Sequence, residues 1–283
     1  MSVGVESRNR ARTVTGIRLV LLVLGAAVMV TPFVYMVSTA FKAQQYVLEL
    51  PPQFVPHPAT TENFTEIWAT QDFARYFLNS TVVAVVSTAV SLVLSSMMAY
   101  AFARFRFPGR EWIFRFLLVG LMVPPTILLL PQFLLAKAFG LLDTLPGLVV
   151  FYVASNLALN TFLLRGFFAS IPMEIEHAMV MDGANAWTRL WRLIFPLSKP
   201  ALATVTIFTF LACWDEYAWA LTIINSPQNR TLPLAIALYQ GENATQWGLV
   251  FAASLIAVTP VILLFLFLQR YFIQGLTTGA VKA

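Results

Sequence analysis

An all-helical protein held in a lipid bilayer is what this sequence predicts, and three observations predict it. Of its 283 residues, 59 % are apolar and only 11 % are charged, against roughly 25 % charge in an ordinary soluble domain. The mean hydropathy is +0.75, with 24 Phe and seven Trp among the apolar residues. Those residues collect into six runs, each long enough to cross hydrocarbon, where one crossing needs about 20. Backbone in hydrocarbon must pair its own N–H and C=O groups, so the runs are predicted to be helices.

The spans fall at about 19–41, 77–102, 112–136, 145–164, 201–224 and 247–268. Pro32, Pro124, Pro125, Pro131 and Pro260 lie inside them, and proline kinks a helix without forbidding it in a bundle. Orientation follows from Lys and Arg. The N-terminal arm (1–18), the loop after span two counted through Arg115, the loop after span four, and Arg270 with the tail (271–283) hold fourteen of the 18 basic residues. Lys42, Arg75, Lys137 and Arg230 are the four on the other side. Both termini are therefore expected in the cytoplasm, and the asymmetry accounts for the net charge of +5 without nucleic acid. The first run continues well past Gly25-Ala26-Ala27, so it reads as an uncleaved anchor rather than a signal peptide. The Pro-rich stretch 42–75 is expected to be a partly ordered cap outside the membrane. No repeat or soluble domain interrupts 19–270, which reads as one membrane domain.

The exclusions are as informative. One Cys and two His leave no disulfide framework and no Cys/His metal cluster. No phosphate-cradling G-x-x-x-x-G-K-[ST], H-E-x-x-H or G-x-S-x-G occurs. His57 reads as solvated and Cys213 as a small apolar residue. No catalytic residue, metal site or bound cofactor is expected, and the chain does not read as an enzyme.

The unusual cytoplasmic segment is 166–199, after span four. Pro172 suits a helix first turn, where Glu174 and Glu176 meet the positive end of the dipole. Gly183 permits a φ > 0 turn, and Asp182 is expected to cap a second helix over about 184–194. Trp187, Leu190, Trp191 and Ile194 share one face of that helix, and Pro196 and Pro200 close it. Such a helix pair either lies on the inner leaflet or docks on a partner. The pattern Glu176-x-Ala178-x-x-x-Asp182-Gly183-Ala184, followed by Phe195-Pro196 and Pro200, resembles the coupling loop of ABC importer permeases. His177-Ala178-Met179 stands where that family usually has Glu-Ala-Ala.

The resemblance covers nearly the whole chain and is closest to carbohydrate-uptake (maltose-transporter-type) permeases. Pro32-Phe33 with 38–42, Asn79-Ser80, 99–101 with 104–109, Pro124-Pro125 with Pro131, and 270–282 all carry it. It implies that Glu176, Ala178, Asp182, Gly183, Ala184 and Pro196 couple to a cytoplasmic ATPase. It implies that Gln274, Gly275 and Gly279 in the tail contact the ATPases, a tail expected to be ordered only against them. Implied partners are a homologous second permease, two ATPase subunits that hold ATP and Mg, and an external solute-binding protein in a bacterial inner membrane. Trp214-Asp215-Glu216-Tyr217 resembles an element of the same subfamily. Carboxylates at that depth face a cavity or a partner: a solute path, the permease interface, or packing within the subunit. The rival functions are a secondary transporter, which wants ion-coupling charges in several spans, and an integral membrane enzyme.

Overall fold

Helix is the form that lets a lipid-embedded backbone satisfy itself, and the computed structural model, described for residues 3–70, 72–241 and 245–280, is built from helices. The chain divides into two units, one of 1–71 with 236–256 and one of 72–235 with 257–283.

In the first unit α1 (Val3–Ala40) begins within the N-terminal arm and carries the first predicted span. Its residues from Val14 to Val34 are exposed around the whole circumference, as expected of a helix that meets lipid or a partner. Side-chain packing is found at its end. Lys42 is buried, donates to the Gln53 carbonyl and lies 5.4 Å from the Tyr35 ring centroid. The segment 42–60 returns antiparallel through a bridge between Lys42 and Ala59, and α2 (Glu62–Thr70) follows. From α2, Asn63 Nδ2 donates to the carbonyls of Ala40 (2.9 Å) and Lys42 (2.7 Å), which the helix end leaves open. A Cβ at Gly248 would lie 2.7 Å from Asn63 Oδ1, so glycine is what permits this approach.

The second unit is organised on a seam of small residues. Along α3 (Phe73–Arg104), Ala84, Ser87, Ser91, Ser95 and Ala99 are fully buried. Their spacing puts them on one face, where small side chains let helix backbones approach closely in a membrane. After Gly109 (φ 78°) comes α4 (Arg110–Val119), then a tight turn at Gly120–Met122 and α5 (Pro125–Ala138). The third predicted span is therefore not one rod: its halves are bent by 106°. Val123 is extended (φ −87°, ψ 120°), as a residue before proline prefers, and Pro124-Pro125 supplies no N–H to continue α4.

Gly140 (φ 66°) and Asp143 (φ 56°) turn the chain into α6 (Leu145–Ala169), which Thr144 caps by accepting from Gly147 N at 3.1 Å. The segment 166–199 holds α7 (Met173–Met181), α8 (Ala186–Arg189), a π turn at Leu190–Ile194 and α9 (Phe195–Leu197). The fifth predicted span is also broken. It comprises α10 (Lys199–Trp214), a gap at 215–217 and α11 (Ala218–Ile223). The chain ends with α12 (Leu232–Leu238) and α13 (Trp247–Ala280). The backbone of α13 runs on to Ala280, through a stretch for which the sequence suggested no structure of its own. The side chains of the predicted tail contacts Gln274, Gly275 and Gly279 lie outside the described residues.

Among the described residues four helices are long and apolar enough to span a membrane, at 14–40, 73–104, 145–170 and 247–271. The count reaches six when two bent pairs are each taken as one span, 110–122 with 125–138 and 186–197 with 199–214. The second pair joins α10 to the segment before it by an 84° bend, whereas the sequence reading carried α10 onward into α11.

At the end of α3 opposite segment 166–199, three polar residues hold the loop after α11. Asp143 accepts from the backbone N–H of Asn225 (3.0 Å) and Ser226 (2.9 Å) and from the Ser226 hydroxyl. Asn79 donates to the carbonyls of Gln228 and Arg230, both at 2.9 Å. Ser80 Oγ accepts from Leu232 N at 2.7 Å. The Ser226 hydroxyl, with the two N–H groups, holds the Asp143 carboxyl below the usual carboxylate range.

Candidate functional site

The segment 166–199 is shaped first by its turn. Ala184 N donates to Met179 O and Gly183 N to Val180 O, both at 2.9 Å. With Gly183 at φ 78°, this pair of bonds is the glycine-terminated helix end expected of a left-handed residue after the C-cap. Asp182 is the C-cap of α7. It does not cap the second helix, contrary to the sequence expectation. Asn185 does, its Oδ1 accepting from Thr188 N at 2.8 Å. Asp182 sits one residue ahead of the left-handed glycine and belongs to the outgoing turn. The Asx residue that follows the turn takes the cap.

The segment has a dry face and a wet one. Leu190 and Ile194 are buried with Ala99 and Tyr100 of α3, Leu164 and Phe168 of α6 and Leu202 of α10. Ile175, Val180, Met181 (87 % exposed) and Trp187 face away from the chain. Of the predicted coupling residues, Ala178, Asp182, Gly183 and Pro196 are exposed and Ala184 is half-buried. Glu176 is the exception: it is buried at 4 %, with Oε2 2.9 Å from Arg104 Nε and Oε1 3.1 Å from Arg189 Nε. The Tyr100 hydroxyl donates to the same Oε1 at 2.5 Å. Glu176 thus presents no free carboxylate on the outer surface of the segment. In the sequence, Arg104 counted as one of the loop's positive charges and as part of a motif shared with the family, with no partner assigned to it. The reach from α7 back to the end of α3 spans more than seventy positions and has no periodic signal.

The second feature is a cavity of about 720 Å³ beside the two helix breaks. Phe116 of α4, Gln132 of α5, Tyr152 and Asn156 of α6, Glu216 at the gap and Trp219 of α11 are among its lining. The gap that interrupts span five orders Glu216. Its carboxylate accepts from Trp219 N (2.7 Å), Ala220 N (3.0 Å) and the Tyr152 hydroxyl (2.7 Å), satisfying the open N–H groups at the start of α11. Trp214 is buried, donates from Nε1 to Ala257 O at 3.1 Å and stacks on Phe210. Asp215 and Tyr217 are exposed, and the Asp215 carboxylate has no hydrogen bond or ion pair among the described residues. The two carboxylates, alike in the sequence, therefore differ in role: Glu216 is used inside the subunit at the cavity wall, and Asp215 is presented outward.

A family model described as "Binding-protein-dependent transport system inner membrane component" matches residues 91–278. The chain belongs to this family. Over 264 residues the permease is 31 % identical to the diacetylchitobiose uptake system permease protein NgcG of Streptomyces coelicolor, covering 93 % of this chain and 87 % of that protein. It is 34 % identical over 270 residues to the trehalose/maltose transport system permease protein MalG of Thermococcus litoralis, covering 93 % and 96 %. A solved structure of a bacterial ABC transporter involved in import of the acidic polysaccharide alginate has a chain that superimposes with a TM-score of 0.79 at 26 % identity, covering 92 % of this chain and 97 % of that one. The permease is thus a multi-pass membrane subunit of an ABC importer, and the expected fold class holds with its third and fifth spans broken.

Proposed function

We propose that the permease forms half of the translocation path for a sugar or related solute and docks its cytoplasmic segment on an ATPase. One observation carries this reading: a segment with an apolar outer face (Ile175, Val180, Met181, Trp187) is fixed by a buried ion-paired face to three helices of the membrane core. An anchored, outward apolar surface fits a partner's groove (helix-in-groove docking). The sugar class rests on the names of the relatives above, and on a cavity wall of aromatic rings with a few polar groups.

In this reading a second, homologous permease completes the path, two ATPase subunits hold ATP and Mg, and the chain itself binds neither. An external binding protein delivers the solute. Closure of the ATPases pushes on the coupling segments and opens the path outward. The distribution of Lys and Arg supports a cytoplasmic position for both termini in a bacterial inner membrane, with 274–283 reaching the ATPases. The test is uptake of labelled trehalose, maltose and diacetylchitobiose by cells expressing the whole system, with ATP depleted or the ion gradient collapsed. The expected result is import of at least one sugar that stops with ATP and survives loss of the gradient. Import that follows the gradient instead would establish a secondary transporter and sink the proposal.

A further inference from the structure

Glu176 is the one anion in a buried cluster with two cations. Its oxygens are divided between Arg104, at 2.9 Å, and Arg189, at 3.1 Å. Tyr100 donates to it, and Arg189 Nε lies 3.2 Å from the Tyr100 hydroxyl as well. Each arginine is also tied to backbone: Arg104 Nη2 to Ile171 O at 2.7 Å, Arg189 Nη1 to Ala184 O at 3.1 Å. The cluster joins three elements, because Tyr100 and Arg104 end α3, Glu176 lies on α7 and Arg189 ends α8. The chain itself leads α7 back to α6 and forward to α10, but no nearby covalent link joins it to α3.

We infer that Glu176 is a positioning residue that locks the coupling segment to the cytoplasmic end of α3, so that the two move as one body when a partner pushes on the segment. The inference rests on the docking role proposed above. A buried carboxylate between two guanidiniums holds them only while it is charged and in place. Without it, two unneutralised cations face each other in a desolvated site, and the cluster is driven apart rather than merely loosened. What the lock transmits is fixed by α3 itself, whose small-residue seam brings its neighbours close and allows little sliding.

The test uses the whole complex, purified through a tag on this chain, in a Cys213→Ala background. Spin labels are placed at Val90 on α3 and Met173 on α7, both exposed and neither on the docking face, and the distance is read without nucleotide and after trapping with ATP and vanadate. The expected result for the unaltered cluster is one narrow distance, the same in both states. Glu176→Gln is expected to lose that single distance while the ATPase still co-purifies. Tyr100→Phe keeps both ion pairs and is expected to broaden it less, and carries the comparison if Glu176→Gln fails to insert. A distance that shifts on trapping with the cluster intact, or one that stays as narrow in Glu176→Gln, overturns the inference. If no ATPase co-purifies with the intact cluster, the proposed docking fails, and the nucleotide-free comparison still decides whether the lock exists.

Discussion

Gly183 shows how much one residue can decide without touching anything. A Cβ there would meet no atom within 4 Å, so substitution costs only what a left-handed backbone costs an L-residue, about 1–2 kcal/mol, and more for a β-branched side chain. That is too little to unfold a membrane bundle and enough to turn α8 away from its bearing. Gly183→Val is expected to insert normally and lose the ATPase on co-purification, and Gly183→Asn, which tolerates the conformation, to retain it. Full retention by Gly183→Val would count against docking. Two residues on, Asn185→Ala is expected to cost about 1 kcal/mol of local stability, read as faster amide exchange at Thr188, and Asp182→Ala is expected to leave that amide unchanged. The left-handed glycine was legible in the sequence. The cap was not, because Asp182 and Asn185 are both good caps and only the direction of the turn separates them.

At the scale of elements, the sequence located the helices and the proline kink of the third run, but not the 106° size of that bend or the gap in the fifth. Hydropathy averages over a window, so a double proline in the third run and a pair of carboxylates in the fifth left each looking like one span. Glu216 restores at its gap the N–H partners that the break removes. Glu216→Ala is therefore expected to lower the thermal stability of the purified permease, whereas Asp215→Ala is expected to leave stability unchanged and to reduce uptake. Equal stability losses would mean that the two do not divide the work. The loop after α11 gives a pH dependence with a definite sign. Because Asp143 is held below the ordinary value in the folded chain, its contribution is complete above about 3.9, the ordinary aspartate value, and is lost as pH falls through the folded value. Limited proteolysis at 225–230 is expected to rise on acidification, and Asp143→Ala is expected to show the raised rate already at neutral pH.

Over the whole molecule, the division of charge was the most legible feature and the internal use of charge the least. Fourteen basic residues on one side predict that a green fluorescent protein fused after Ala283 is fluorescent and that one inserted at 57 is dark. The reverse pattern would invert the topology and put the coupling segment outside. Counting charges treats Arg104 and Arg115 alike, yet Arg104 is buried in an ion pair and Arg115 lies over the Trp112 ring at 5.6 Å. Only tertiary structure distinguishes a charge that orients the chain from one that braces it.

The shortness of α10 has a consequence for the surrounding lipid. Its 16 residues make a rod of about 24 Å at roughly 1.5 Å per residue, some 6 Å less than the roughly 30 Å of an average hydrocarbon layer. The deficit ends at Asp215, which is exposed and poorly suited to acyl chains. Any bilayer that borders this end of the helix would have to pinch inward, or tilt its lipids, to bring headgroups or water to that carboxylate. Uptake in reconstituted vesicles is accordingly expected to fall as the acyl chains are lengthened, and Asp215→Leu to flatten that dependence by extending the greasy belt past the break.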